Sequence, residues 1–232
     1  MTVVESYKFP GVYTIKDGEQ SSLSTKSIFP GKSVYGEKLI NVDEGEYRLW
    51  SPRRSKLSAA IKLGLSEMPI QPGSKVLYLG AASGTTVSHC SDIVGNSGTI
   101  YAVEFSQRTA RDLISLAALR KNIIPILDDA RHPTRYAPLV SGTIEVVYQD
   151  VAQPNQASIL YENLKTFCSF GAWGMLAIKA RSIDSTSSLD EVYSREISEL
   201  DKRGLEIVEN IDLNPLEKDH RFIVCRVTED MT

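Results

Sequence analysis

The sequence predicts an α/β protein in which a mostly parallel sheet follows a small antiparallel β region. From about residue 72 onward, short apolar runs typical of buried strands alternate with segments of helical periodicity, as in a parallel sheet covered by helices. Residues 1 to about 50 instead contain short alternating runs between turn signals, which is typical of antiparallel strands. We therefore expect a small β domain over residues 1–50 and an α/β domain over residues 51–232.

The N-terminal region is expected to form a small antiparallel sheet. Its strands are predicted at residues 12–15, 39–42 and 46–50. Ser51 and Pro52 then supply a helix N-cap and a first-turn proline. The helix that they introduce has an apolar face from Leu57 to Leu65 and ends before Pro69.

The α/β region is expected to contain seven strands. Five of them are predicted at residues 76–79, 99–103, 123–127, 144–148 and 175–178. Helices are predicted from Thr85, from Ser106, after Pro154 as far as Gly171, and from Leu189 to a stop at Gly204. The last two runs, 205–213 and 220–227, are too close for a helical crossover, so we expect an antiparallel hairpin. Such a sheet suits a class I, Rossmann-like methyltransferase that uses S-adenosyl-L-methionine (AdoMet), and suits a dinucleotide dehydrogenase less well.

Composition and charge narrow the class of protein. The chain is 42% hydrophobic and 24% charged, as expected of a globular protein with a sizeable core. It has no apolar stretch near the ~20 residues of a membrane span, and its start lacks the pattern of a signal peptide. Three scattered cysteines predict buried intracellular thiols, with no disulfide and no metal site. A net charge of −3 argues against binding nucleic acid through bulk electrostatics alone, so partners would have to supply much of the affinity.

A loop of small residues after the first strand of the parallel sheet predicts a cofactor site. The segment runs from Gly80 and Ala81 to Gly84, and Thr85 and Thr86 then open a helix. Small residues let a ligand approach the backbone, and the free amides at a helix start offer hydrogen bonds. The loop lacks the lysine of a phosphate-binding P-loop and the second glycine that a dinucleotide pyrophosphate requires. AdoMet is therefore the expected ligand, and the alternative is a purely structural turn.

Two carboxylates follow the next two strands. Glu104 lies about 20 residues beyond the loop, where this architecture binds ribose hydroxyls, or it could simply favour the dipole of the following helix. Asp129 could accept a hydrogen bond from an adenine amino group, or it could be an ordinary turn residue.

Four more polar residues are expected at the carboxyl edge of the sheet, where open α/β sheets bind ligands. They are Lys56, Asp150, Lys179 and His220. Taken alone, each residue has an ordinary structural explanation. Lys56 could be a solvated helix lysine, Lys179 a strand-end lysine whose ammonium reaches solvent, Asp150 a turn residue and His220 a loop residue. Together they have a chemical rationale, because a lysine close to a carboxylate can orient a weakly nucleophilic ribose hydroxyl and stabilise the developing alkoxide.

From about Pro30 onward the chain resembles fibrillarin, the family of AdoMet-dependent RNA 2′-O-methyltransferases of box C/D ribonucleoproteins. The matching motifs are PGKSVYGE (30–37), EYR (46–48), WSPRRSKL (50–57), YLGAASGTT (78–86), VEFS (103–106), DARHP (129–133), DVAQ (150–153), IKARSID (178–184) and KDH (218–220). Arg221 and Phe222 depart from the small residue often found after the histidine, and residues 1–29 match weakly.

The resemblance implies both a cofactor pocket and a catalytic set. Together with the loop, the expected AdoMet pocket comprises Gly80, Ala81, Gly84, Thr85, Thr86, Glu104, Phe105, Asp129, Ala130, Asp150, Val151, Ala152 and Gln153. The implied catalytic set is Lys56, Asp150, Lys179 and His220, with Asp150 near the sulfonium and Lys179 near the 2′-oxygen. Lys56 and His220 would hold the ribose and the adjacent phosphate.

The resemblance also implies partners. These are a Nop-domain scaffold protein, a kink-turn-binding ribosomal-type protein, a box C/D guide RNA that selects the site, and target rRNA and possibly tRNA. The compact, archaeal-type sequence without a Gly/Arg-rich extension implies a cytoplasmic location. Two alternatives stay open: a small-molecule methyltransferase of the same fold, and a non-catalytic ribonucleoprotein subunit.

Overall fold

The computed structural model describes residues 2–229, which form two sheets and seven α-helices. The N-terminal sheet contains β1 (Thr2–Ser6), β2 (Val12–Asp17), β3 (Gln20–Lys26), β4 (Leu39–Val42) and β5 (Gly45–Leu49). It is antiparallel, in the order β1-β2-β3-β5-β4. The three predicted strands are present, whereas β1 and β3 were not predicted. β3 has the sequence QSSLSTK, which offers a single apolar residue and so no alternating pattern.

The second sheet contains β6 (Lys75–Leu79), β7 (Thr99–Glu104), β8 (Ile123–Leu127), β9 (Ile144–Gln149), β10 (Cys168–Lys179), β11 (Leu205–Asp212) and β12 (His220–Val227). Its order is β11-β12-β10-β9-β6-β7-β8. The strands β6 to β10 pair in parallel, and β12 is antiparallel to both β10 and β11. This confirms the predicted parallel sheet with its terminal antiparallel hairpin.

Seven helices connect these strands. They are α1 (Lys56–Lys62), α2 (Thr85–Val94), α3 (Gln107–Leu119), α4 (Pro133–Tyr136), α5 (Gln156–Phe167), α6 (Ala180–Ile183) and α7 (Leu189–Lys202). None of the helices between residues 2 and 229 has the length and apolar character that a membrane span requires.

Two predicted helix ends are wrong. The N-cap of α1 is Ser55 rather than Ser51, and the Ser55 Oγ accepts a hydrogen bond from the Ser58 amide at 3.3 Å. Helix α5 ends at Phe167 rather than at Gly171, because the chain enters the long strand β10 at Cys168. A register shift between Cys168 and Trp173 bends the start of that strand. Cys168 is only partly buried, although three buried thiols were predicted.

Each face of the seven-stranded sheet carries its own hydrophobic core. Along β6, Val76 and Tyr78 point into one core, whereas Leu77 and Leu79 point into the other. Trp50 of the N-terminal region belongs to the first core and is 1% exposed. The N-terminal sheet therefore packs onto the α/β region through a shared apolar core. The predicted domain boundary at residues 50/51 stays a prediction.

Candidate active site

The cofactor loop begins where β6 and β9 end side by side. The amide of Asp150 donates to the carbonyl of Leu79 at 2.9 Å, and Gly80 follows with a φ of +81°. A Cβ atom on Gly80 would lie 2.7 Å from the carbonyl oxygen of Asp150. Glycine is required here, because any side chain would push apart the two strand ends that form the site.

Gly84 sets the start of α2 in the same way. It is the N-cap of α2 with a φ of +93°, and a Cβ atom there would collide with Leu116 Cδ2 of α3. The loop from Gly80 to Gly84 is thus held between β9 on one side and α3 on the other. Its tight turn leaves the first amides of α2 without helical partners, as the sequence predicted.

A cavity of about 270 Å³ opens at the carboxyl ends of the parallel strands. It is lined by Gly80, Ala82, Val103, Glu104, Phe105, Asp128, Asp129, Ala130, Asp150, Val151, Ala152, Gln153 and Lys179. Most of the predicted cofactor residues therefore surround one space. Ala82, Val103 and Asp128 were missed, although each directly neighbours a predicted residue or lies within the predicted loop.

Two carboxylates in this cavity are held by well-defined partners. Glu104 accepts from the amides of Ala82 and Ser106, each at 2.7 Å, so it fixes both the cofactor loop and the start of α3. Asp129 Oδ2 accepts from Arg131 Nε at 2.9 Å. Hydrogen bonding to Arg131 lowers the pKa of Asp129, which keeps this carboxylate ionised.

The chemistry of the cavity fits AdoMet. That cofactor presents a sulfonium cation, two ribose hydroxyls and an adenine amino group, all of which are cationic or hydrogen-bond donors. Glu104, Asp129 and Asp150 supply acceptors of matching charge, while Phe105 and Ala130 supply apolar surface. Phe105 is 68% exposed, so it lies at the mouth of the cavity.

Four predicted cofactor residues do not line this cavity. Thr85 faces a separate cavity of about 330 Å³, together with Tyr35, Lys32 and Arg54. The Thr86 hydroxyl donates to Ser55 Oγ at 3.0 Å. The other two residues, Ala81 and Gly84, belong to the loop itself, and the Ala81 side chain is buried. The start of the loop therefore lines the cavity with the carboxylates, whereas Thr85 and Thr86 have other neighbours, and their part in cofactor binding stays a prediction.

Three of the four predicted catalytic residues converge on one carboxylate. Lys56 Nζ lies 3.2 Å from Asp150 Oδ2, and Lys179 Nζ lies 2.8 Å from Asp150 Oδ1. Lys179 also donates to the backbone carbonyl of Asp150 at 2.9 Å. The three side chains are 16–20% exposed, so a substrate can still reach them.

Chain topology explains this convergence. Lys56 is the first residue of α1, Asp150 directly follows β9, and Lys179 is the last residue of β10, which pairs with β9. The carboxyl ends of adjacent parallel strands lie at one edge of the sheet, so two of the three residues are placed by the sheet itself.

His220 lies beside this group, opposite Lys179 in the register of β10 and β12. Its Nδ1 is hydrogen-bonded to the carbonyl of Lys218, which leaves Nε2 as the free ring nitrogen. Burial lowers the pKa of His220 below 6.5, and the positive charge of Lys56 adds to this effect against the opposing Lys218 carbonyl. The imidazole is therefore neutral at pH 7 and can accept a hydrogen bond.

Among residues 2–229, no group of three or more His, Cys, Asp or Glu side chains is arranged to hold a metal ion.

The strand order and the carboxylate-lined cavity define a class I, AdoMet-dependent methyltransferase fold. Within that class, the chain belongs to the fibrillarin family, whose model, described as Fibrillarin, matches residues 3–229.

Individual relatives agree with this assignment. The chain is 49% identical over 230 residues to a fibrillarin-like rRNA/tRNA 2′-O-methyltransferase of Pyrococcus furiosus, covering 97% of this chain and 99% of that protein. It is 48% identical over 227 residues to the rRNA 2′-O-methyltransferase fibrillarin of Caenorhabditis elegans, covering 96% of this chain but only 64% of that longer protein.

Solved structures extend the comparison to ligands and partners. A crystal structure of Aeropyrum pernix fibrillarin with natively bound S-adenosyl-L-methionine has a TM-score of 0.90 at 46% identity, covering 97% of this chain and 99% of that one. A fibrillarin in a crystal structure of a fibrillarin/Nop5p complex has a TM-score of 0.85 at 41% identity, covering 96% of this chain and 100% of that one.

Proposed function

We propose that this chain transfers the methyl group of AdoMet to a ribose 2′-oxygen of RNA, as the catalytic subunit of a box C/D guide ribonucleoprotein. The target is rRNA, with tRNA as a further candidate substrate. The observation that carries this proposal is the pairing of Lys56 and Lys179 with Asp150 beside a cavity suited to AdoMet.

The charges of this group suit transfer to a hydroxyl. When bound, AdoMet supplies an electrophilic methyl group on a cationic sulfur. The Asp150 carboxylate provides negative charge next to the cavity, and the Lys179 ammonium, held on Asp150, can stabilise the oxygen anion that develops on the ribose. Lys56 and the neutral His220 are proposed to hold the ribose and its neighbouring phosphate.

Alignment supplies most of the rate in this proposal. In a direct in-line displacement the ribose 2′-oxygen would bond to the methyl carbon as the carbon–sulfur bond breaks, and the hydroxyl proton would be released to solvent, so no covalent enzyme intermediate is needed. Holding two reactants in a productive geometry can by itself be worth several orders of magnitude. The remaining residues of the predicted AdoMet pocket are proposed to bind and orient the cofactor. They belong to the loop at residues 80–86 and to the segments that follow the next three strands, at 104–105, 129–130 and 151–153.

The proposed partners follow from family membership. The fibrillarin/Nop5p complex supports a Nop-domain scaffold protein as a partner of this chain. A guide RNA would deliver sequence specificity, and a kink-turn-binding protein would recognise that guide. The net charge of −3 supports this division of labour, because the chain lacks the excess of positive charge that binds RNA unaided. A cytoplasmic location stays a prediction of the resemblance.

Radiolabelled methyl transfer tests this proposal. The chain is assembled with a guide RNA, the Nop-domain scaffold and the kink-turn protein, and is supplied with labelled AdoMet and a guide-matched RNA. We expect methylation at one ribose, and its loss in an Asp150→Ala complex of equal composition. If a verified complex binds AdoMet but leaves the RNA unmethylated, the chain is a non-catalytic scaffold. If it methylates small hydroxyl compounds instead of RNA, the substrate class is wrong.

A further inference from the structure

Thr86 links the cofactor loop to the helix that carries Lys56. Its hydroxyl donates to Ser55 Oγ at 3.0 Å, and both residues are buried, with 8% and 2% of their surface exposed. The contact joins residues 31 positions apart in the chain. A buried hydroxyl pair that spans two elements fixes their separation, because breaking it would leave polar groups without partners.

Ser55 in turn determines where α1 begins. Its side chain accepts from the Ser58 amide at 3.3 Å, and its carbonyl accepts from the Ala59 amide at 2.9 Å. Lys56 is the next residue, so its side chain extends from the first turn of a helix whose N-cap is held by Thr86. Any shift of Ser55 therefore moves the base of the lysine that pairs with Asp150.

We propose that Thr86, besides belonging to the AdoMet loop, acts through Ser55 as a positioning residue for Lys56. The inference rests on the proposed function, since it assigns Thr86 a part in the same reaction. The Thr86 side chain is absent from the wall of the carboxylate-lined cavity, and its hydroxyl lies within hydrogen-bond distance of Ser55 Oγ and also interacts with the Tyr78 side chain. The hydrogen bond between Thr86 and Ser55 would fix the start of α2 relative to the start of α1. It would thereby fix the AdoMet loop relative to Lys56.

Thr86→Val is the decisive variant, because it keeps the shape of the side chain and the N-cap of α1 but removes the hydroxyl. We expect a fall of about 10-fold in the methyl-transfer rate at saturating AdoMet, as for small losses of alignment. The effect on the AdoMet Kd, measured by calorimetry, should be the smaller of the two. Thr86→Ser keeps the hydroxyl and should restore the rate.

Ser58→Ala is the matched control on the same helix. The Ser58 hydroxyl is buried and donates to the carbonyl of Trp50 at 2.9 Å, so its loss weakens the anchoring of α1 without touching the loop. If Ser58→Ala and Thr86→Val slow the reaction equally, the effect is a general loosening of α1 and the inference fails. It also fails if Thr86→Val weakens AdoMet binding but leaves the saturated rate unchanged.

A double-mutant cycle tests whether Thr86 works through Lys56. In a Lys56→Ala background, Thr86→Val should cost little further rate; an undiminished cost would contradict the inference. NMR of the Lys56 ¹⁵Nζ group, whose signal reports its ion pair with Asp150, reads the same link without any methyl transfer. If the wild-type complex is inactive yet Thr86→Val alters this signal, the proposed function fails and the positioning stands. An unaltered signal overturns the positioning itself.

Discussion

Asp92 and Asp150 each lie between two basic side chains, but in different surroundings. In the interior, Asp92 pairs with Arg48 at 2.7 Å and with Arg120 at 2.5 Å. At the sheet edge, Asp150 pairs with its two lysines at 3.2 and 2.8 Å. The side chains of the first group are at most 2% exposed, whereas those of the second are 16–20% exposed.

In this interior group, which comprises Asp92, Arg48 and Arg120, both oxygens of the Asp92 carboxylate have more than one hydrogen-bond partner. Asp92 also accepts from the Thr25 hydroxyl at 2.8 Å and from the Ile28 amide at 3.0 Å. Because Thr25 and Arg48 belong to the N-terminal sheet while Asp92 lies in the last turn of α2, this carboxylate links the two parts of the molecule. Arginine suits that use, since its planar guanidinium makes several directed hydrogen bonds at once.

The edge group is built to exchange partners. Lysine presents a compact charge on a flexible stem, and partial exposure leaves room for a substrate to interact with Asp150 or with either ammonium. The same arrangement of charges therefore stabilises the fold around Asp92, where it is buried, and can support catalysis around Asp150, where it is partly exposed. The following predictions test that contrast.

The largest expected effect is on stability, from Asp92→Ala. Removing this carboxylate leaves the buried guanidinium of Arg120 without its counter-ion and leaves Arg48 paired with Glu37 alone, which should lower the free energy of unfolding by about 3–5 kcal/mol. Denaturant titration followed by circular dichroism measures it. Asp150→Ala is the control, because its lysines stay solvated; equal losses in both variants would erase the distinction between the two groups.

Asp150→Ala should instead reduce catalysis. We expect methyl transfer by the assembled complex to fall by more than ~10²-fold, as when a key electrostatic group is removed from an active site. The measurement is the single-turnover rate at saturating AdoMet, beside a thermal melt that shows the fold intact. Near-normal turnover would remove Asp150 from its proposed role.

The contrast between the two groups also marks what sequence can predict. The edge group was predictable because Asp150 and Lys179 directly follow strands with clear apolar patterns, and because their motifs match a known family. Strand order, the cofactor loop and the terminal hairpin followed from the same local patterns.

The interior group was not predictable. Arg48 resembles an ordinary polar position of an alternating strand, and its partner Asp92 lies 44 residues away on a helix, with no local signal joining them. Ser55 illustrates the same limit. The sequence pattern predicted the N-cap at Ser51, whereas the structure has it at Ser55, which also bonds to Thr86; helix propensity contains no information on such a tertiary contact.

Asp129 represents an intermediate case. Its side chain is 11% exposed and pairs with Arg131, which is 44% exposed. This ion pair is therefore open to solvent on the arginine side, and we do not expect the fold to depend on it. Asp129→Ala should weaken AdoMet binding about 10-fold, the usual worth of a hydrogen bond to a charged group, and leave the melting temperature close to that of the wild type. Calorimetric titration beside a thermal melt measures both. Arg131→Ala, which keeps the carboxylate, is the control; an unchanged Kd in Asp129→Ala would exclude it from the pocket.

The smallest expected effects are pH-dependent, and each group has a histidine that reports on it. His89 Nδ1 is hydrogen-bonded to the hydroxyl of Thr25, which also bonds to Asp92, and His89 Nε2 is hydrogen-bonded to the hydroxyl of Tyr35, each at 2.7 Å. Complete burial lowers the pKa of His89 well below 6.5, and the charges of Arg48 and Arg120 lower it further. The pKa of His220, at the edge group, is also lowered, but this ring is nearer to solvent and to the carboxylate of Asp150.

The sign of the pH effect follows from these directions. Both histidines have a lower pKa in the folded protein than in the unfolded chain, so the unfolded chain binds more protons as pH falls below about 6.5. The free energy of unfolding should therefore be maintained above that pH and should decrease below it, by up to about 1.4 kcal/mol per pH unit for each histidine. NMR titration of the imidazole signals, beside urea unfolding between about pH 5 and pH 7, separates the two contributions. We expect His220 to protonate within the folded protein while His89 stays neutral until the protein unfolds. Protonation of His89 before unfolding would mean that the interior group is more open to water than its contacts imply.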